Sequence, residues 1–173
     1  MHRVLSTLSL LVATTALAQP KSPPGPPPEL AFEKSLVGTW LCEGKQEPTP
    51  ELPDGKRHLR QECKLGKAGF WLECEVFATT GPMKDQSVIS SFIGWDPVQK
   101  KHIRSSFNMS GASTLSSTPG WEGDKITFTG ELTRAGKKLP FKMTELKKSD
   151  TETTGTLEID GKPIGDDTCK KIK

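Results

Sequence analysis

The residues of this chain whose chemistry could reach beyond packing are few: four cysteines, three histidines and scattered acids. No serine sits in a Gly-x-Ser-x-Gly elbow, so an activated hydroxyl nucleophile is not expected. His58 and His102 both fall on the polar phase of their segments and read as solvated side chains. Glu73 and Glu75 share a face and could be imagined as an acid and base pair. They alternate with Cys74, however, on what should be an outer face, where charge is ordinary. Asp166 and Asp167 are adjacent, and neighbours on a strand point oppositely, which makes a poor cation site. Asn108-Met109-Ser110 fits a glycosylation sequon, a frequent coincidence of three residues. The four cysteines lack the Cys-x-x-Cys spacing and the histidine companions of a redox or metal centre. They form an even set, which allows three disulfide pairings. No catalytic constellation, metal or cofactor is expected, and the reading is a non-enzymatic protein.

The elements that position these residues begin after a leader. Met1-His2-Arg3 gives a short positive end, Val4 to Val12 is nearly all apolar, and Ala16-Leu17-Ala18 offers the small residues a signal peptidase accepts before Gln19. Residues 1–18 are therefore expected to be a cleaved signal peptide. The apolar run is too short for the roughly 20 residues that cross a bilayer, so no stable membrane insertion is expected. Residues 19–30 hold Pro20, Pro23, Pro24, Pro26, Pro27 and Pro28, the composition of an extended polyproline spacer rather than a packed element. Residues 31–173 are left as one folding domain. The formal charge of +3 is far too small to suggest nucleic acid. The expected location is outside the cytoplasm, periplasmic or extracellular.

From Leu36 onward apolar residues recur at alternate positions, as half-buried strands require. Leu36, Gly38, Trp40 and Cys42 share a phase, as do Leu59, Gln61, Cys63 and Leu65, and then Phe70, Leu72, Cys74 and Val76. Val88, Ser90, Phe92 and Gly94 follow, with Ile89, Ile93 and Trp95 on the other face. Then come Ile103, Ser105, Phe107 and Met109; Ile126, Phe128, Gly130 and Leu132; Leu139, Phe141 and Met143; and a last pair near 155–159 and 164–172. No long stretch carries a helical stripe. Asp96-Pro97, Gly123-Asp124, Ala135-Gly136 and Asp160-Gly161 are turn chemistry between consecutive strands. About ten short strands with no long crossover imply an antiparallel meander, and closure into a barrel removes its unpaired edges. The expected fold is all-β, an antiparallel up-and-down β-barrel of about ten strands.

Gly38-Thr39-Trp40 resembles the Gly-x-Trp signature of lipocalins and other calycins. The ordered set Phe92-Ile93-Gly94-Trp95-Asp96-Pro97, Lys100-Lys101 and Thr118 to Lys125 resembles a secreted bacterial family of unknown function regarded as calycin-like. Trp40-Leu41-Cys42, Gly69 to Leu72 and Cys169-Lys170-Lys171 fit it too, so the likeness covers nearly all of 36–173. It implies a calycin or lipocalin-like barrel and brings no established activity. Some calycin-like barrels bind haem through histidine, but neither histidine here matches that ligand.

Cys63 and Cys74 lie symmetrically about the turn at Lys67 to Phe70, so they face each other across a hairpin with both side chains on the apolar phase. A four-residue loop would make them a narrow, non-hydrogen-bonded pair, the closer of the two pair types. The remaining pair, Cys42 with Cys169, joins the first strand to the last, which are neighbours only in a closed barrel. Inside it, Trp40, Leu72, Val76, Phe92, Phe107, Met109, Phe128, Phe141 and Met143 are expected to point inward. A filled core is the plain reading of such alternation. Ten strands make a wider barrel than eight, and Ser90, Gly94, Ser105 and Gly130 on inward phases would leave room. The expected partner is a small apolar ligand lined by Trp40, Phe92, Phe107, Met109, Phe128 and Phe141. The rival reading is a structural or protein-interaction module of the cell envelope, against which the absence of tyrosine weighs.

Overall fold

The computed structural model describes residues 25–48 and 54–173. The leader, the cut before Gln19 and most of the proline-rich stretch lie outside the described residues. A short 3-10 turn (Pro28–Leu30) runs into a six-residue helix, α1 (Ala31–Leu36), and eleven strands follow. They are β1 (Gly38–Gln46), β2 (Lys56–Leu65), β3 (Trp71–Ala78), β4 (Ser87–Asp96), β5 (Lys101–Asn108) and β6 (Ser113–Thr118). After these come β7 (Trp121–Glu122), β8 (Lys125–Arg134), β9 (Lys137–Ser149), β10 (Glu152–Ile159) and β11 (Lys162–Lys171).

All strand pairings are antiparallel and nearly all join neighbours in the chain. Two contacts turn the meander into a ring: β1 pairs with β11, and β6 pairs with β8. The two-residue β7 extends the line of β6 along β8, so the ring is a closed ten-strand barrel. Closure leaves no long unpaired edge, which is the physical gain that the sequence pattern anticipates.

The turns form as their residues dictate. Ala135-Gly136 and Asp160-Gly161 each place two successive residues at positive φ, the geometry that matches a two-residue hairpin to strand twist. Asp96 accepts hydrogen bonds from the backbone of Val98 and Gln99, which folds the β4–β5 turn. Between Gly66 and Trp71, whose backbones hydrogen-bond, four residues close the β2–β3 hairpin. Cys63 and Cys74 therefore face each other as a narrow pair with Cα atoms 4.2 Å apart and are bonded. Cys42 and Cys169 are bonded across β1 and β11 with Cα atoms 4.0 Å apart.

One end of the barrel is stopped by α1 and the turn before it. Leu30 and Glu33 are buried there, Leu36 and Val37 pack on the cluster of Cys63, Leu72, Cys74, Ile93, Ile126 and Phe128, and Trp40 Nε1 donates to the Leu36 carbonyl. At the end of the proline-rich stretch Pro28–Leu30 is a 3-10 turn rather than extended backbone, and Leu30 is buried while Pro28 and Glu29 stay exposed. The helix escapes periodicity analysis because six residues are under two turns.

Candidate functional site

Directly opposite residues in a ladder share a face, so the buried side chains fix which phase points inward. Leu72 faces Ile93, Cys74 faces Ser91, Ser91 faces Ser106, and Ser106 faces Thr114. On β3, β8 and β9 the inward phase is the expected one, with Leu72, Val76, Phe128, Leu132 and Phe141 buried. Trp40 is buried as well, and Gly130 lies on the inner face opposite Ser116 and Phe141.

On β4 and β5 the inward phase is the opposite of that expected. Phe92 is 44% exposed, Phe107 56% and Met109 52%, so these three line no interior. Ser90, Gly94 and Ser105 share their outer rows. The reason is that β4 carries apolar residues on both faces, and the register with β3 selects Ile89, Ser91 and Ile93 for the inside. The same register carries His102, Arg104 and Ser106 inward on β5. His102 is thus not solvated. It is buried with Glu33 of α1, Nδ1 to Oε1 2.7 Å, and its ring meets the edge of Trp95. His58, Glu73 and Glu75 fall on the outer phase as expected, and Asp166 and Asp167 point oppositely, Asp166 outward and Asp167 inward.

The inner face holds a charged constellation on consecutive strands. Glu145 of β9 faces Gly155 of β10, Gly155 faces Asp167 of β11, Asp167 faces Gly44 of β1, and Gly44 faces Arg57 of β2. The glycines make the row possible: a Cβ on Gly155 would lie 2.6 Å from the Asp167 carboxylate. Arg57 pairs with Asp167 at 3.4 Å. From the far wall Arg104 extends across the barrel, and its Nη1 donates to the thioether of Met143. The Nε of Arg104 is buried with no hydrogen-bond partner, and so is the hydroxyl of Ser116, its neighbour directly across β5 and β6.

Arg57, Arg104, Glu145 and Asp167 are half-buried rather than sealed. Burial pushes the Glu145 carboxyl above its ordinary range, with Arg104 pulling it back and Asp167 adding to the rise. Burial also raises Asp167, opposed by Arg57. Burial disfavours the charge on Arg104, which Glu145 and Asp167 partly restore from a distance. Beside these groups lies an apolar wall of Leu132, Phe141, Leu139, Met143, Leu157 and Ile159. Among the described residues no cluster of His, Cys, Asp and Glu could hold a metal ion, and no helix is long and apolar enough to cross a membrane.

Sequence reasoning passed over this constellation, though part of it was signalled. The alternation Leu139, Phe141, Met143 reaches Glu145 in one further step. Asp167 lies two residues before the inward Cys169, and Arg57 two before Leu59 on an inward phase. Arg104 carries no such mark, since its face depends on the register with β4.

No known protein family matches this chain, and no curated protein is similar to it. Among solved structures, a redesigned β-barrel is 11% identical over 82% of this chain and 96% of its own, with a TM-score of 0.42. Rv2717c from M. tuberculosis is 13% identical, spans 86% of this chain and 99% of its own, and has a TM-score of 0.58. At that identity the likeness is one of fold, and the fold it shares with this chain is the antiparallel β-barrel.

Proposed function

We propose that this protein is an exported, non-enzymatic binding barrel that encloses a small molecule with an apolar body and a polar head. The observation that carries this reading is the two-natured inner wall. Charged side chains in a solid core would be sealed and costly, yet Arg57 and Asp167 point inward with 15% and 24% of their side chains still exposed. Water therefore reaches the inner face at Arg57 and Asp167, and the row of Asp167, Gly155 and Glu145 adjoins Leu157 and Met143, two residues along β10 and β9. A wholly apolar ligand would strand those charges, so an amphipathic one replaces it. Ligand pockets characteristically combine an apolar lining with a few placed polar groups. Two disulfides support an oxidising compartment, periplasmic or extracellular, reached through the leader at 1–18.

Native mass spectrometry of protein purified from its own host, together with uptake of an environment-sensitive amphipathic dye, tests the reading. A co-purifying small molecule, and dye uptake that Phe141→Ala weakens while Phe107→Ala leaves intact, is the expected result. Absence of both ligand and dye uptake would overturn it. The second reading, an interaction module of the cell envelope, is favoured by the outward Phe92, Phe107 and Leu115, which lie on adjoining rows of β4, β5 and β6.

A further inference from the structure

A guanidinium stays protonated under all ordinary conditions, so burying one demands acceptors. Arg104 has poor ones. Its Nη1 meets a thioether, a weak acceptor, and its Nε meets nothing. Arg57 has Asp167 as a direct partner at 3.4 Å. Ser116, 3% exposed, presents a second unpartnered polar group on the same inner face of the next strand. Directly opposed side chains on adjacent strands start about 5 Å apart at Cβ, so Arg104 and Ser116 can converge on one small group. The Arg104 Nε and the Ser116 hydroxyl can each donate, and neither has an acceptor.

We propose that Arg104 and Ser116 form an anion-recognition site for the carboxylate head of an amphipathic ligand, whose tail lies along Phe141, Met143 and Leu157. This rests on the binding-barrel reading and names its ligand class. A carboxylate is planar and offers two acceptor oxygens, which matches the edge of a guanidinium and leaves one oxygen for a hydroxyl. The apolar wall begins at Met143, the residue that Arg104 touches, so head and tail sites are continuous. Glu145 and Asp167 on the facing strands set a limit on charge. A monoanionic carboxylate matches the one positive charge of Arg104, whereas a dianionic phosphate would bring a second negative charge toward Glu145 and Asp167.

The test is calorimetric titration of the full mature chain, extracted free of lipid, with decanoate, decanol, decyl phosphate and decylamine. Decanoate is expected to bind about tenfold or more tighter than decanol. Arg104→Met should abolish that preference, Arg104→Lys should lose most of it, and Ser116→Ala should weaken decanoate a few-fold. Should Arg104→Met fail to fold, as judged by near-ultraviolet circular dichroism, Arg104→Lys and Ser116→Ala carry the decision. Equal affinity for decanoate and decanol, a preference for the phosphate or the amine, or variants that leave decanoate affinity intact would each overturn the proposal while the binding barrel stands. Failure of all four compounds to bind would overturn both.

Discussion

Glu33 and His102 show how much a single residue can decide in this barrel. The glutamate is fully buried on a six-residue helix, and its one partner among the described residues is a histidine that alternation alone would place in water. Its second carboxyl oxygen is buried without a partner. Removing one member of a buried pair strands the other, at a cost of about 3 to 5 kcal/mol. Glu33→Ala is therefore expected to lower the urea midpoint by that order and to make Ala31–Leu36 a site of limited proteolysis. A loss under about 1 kcal/mol would mean that α1 is held by Leu30 and Leu36 instead. Glu145 gives the second prediction at this scale. Burial raises its carboxyl in the folded state, so the native protein holds the proton more tightly than the unfolded chain does. The stability this contributes is complete below the ordinary carboxylate range and is lost as pH rises through the raised value. Glu145→Gln removes that loss, and its stability relative to wild type should climb from about pH 4 upward. Urea denaturation across a pH series checks this; a constant difference, or one of opposite slope, would refute it.

At the scale of the strand, phase is legible wherever one face is apolar and the other is not. β8 is such a case: Ile126, Phe128 and Leu132 alternate with Thr127, Thr129 and Glu131, and the inward assignment holds. β4 and β5 defeat it because the barrel turns Ser91, Ser106, His102 and Arg104 inward there and Phe92 and Phe107 outward. A shift of one residue reverses every side chain of a strand, so one wrong phase misplaced half of the expected ligand lining: Phe92, Phe107 and Met109. Trp40, Phe128 and Phe141 are buried as their phase predicts, each on the more apolar face of its strand. The charged part of the site stayed hidden for a related reason, since an inward arginine or glutamate contradicts the rule by which inward faces are recognised. The two kinds of phenylalanine should differ sharply under mutation. Phe128→Ala is expected to cost about 3 to 5 kcal/mol in chemical denaturation, and Phe107→Ser less than about 1. Comparable losses at both positions would show that the outer face of β5 is covered after all.

Across the whole molecule, the ring is joined where the first and last strands of the barrel meet. β1 meets β11 through a full antiparallel ladder, and the Thr39 backbone exchanges hydrogen bonds with Ile172 and Lys173 just beyond it. Such a pairing brings together strands separated by nearly the whole domain, which is the costliest kind of contact to close from an unfolded chain. The Cys42–Cys169 bridge, with a sequence separation of 127, removes that cost in advance, whereas Cys63–Cys74 spans only 11 and fixes a hairpin that its four-residue turn already favours. By chain-entropy arithmetic the long bridge is worth about 5 kcal/mol and the short one about 3. The paired change Cys42→Ala with Cys169→Ala should therefore cost about 2 kcal/mol more than Cys63→Ala with Cys74→Ala, read as the difference in urea unfolding free energy. Refolding from urea should also slow more for the long-bridge variant, because closure then has to find β11 unaided. An equal or larger loss from the short bridge would place the stabilisation in local hairpin geometry, and the ring would owe its closure to the β1–β11 ladder alone.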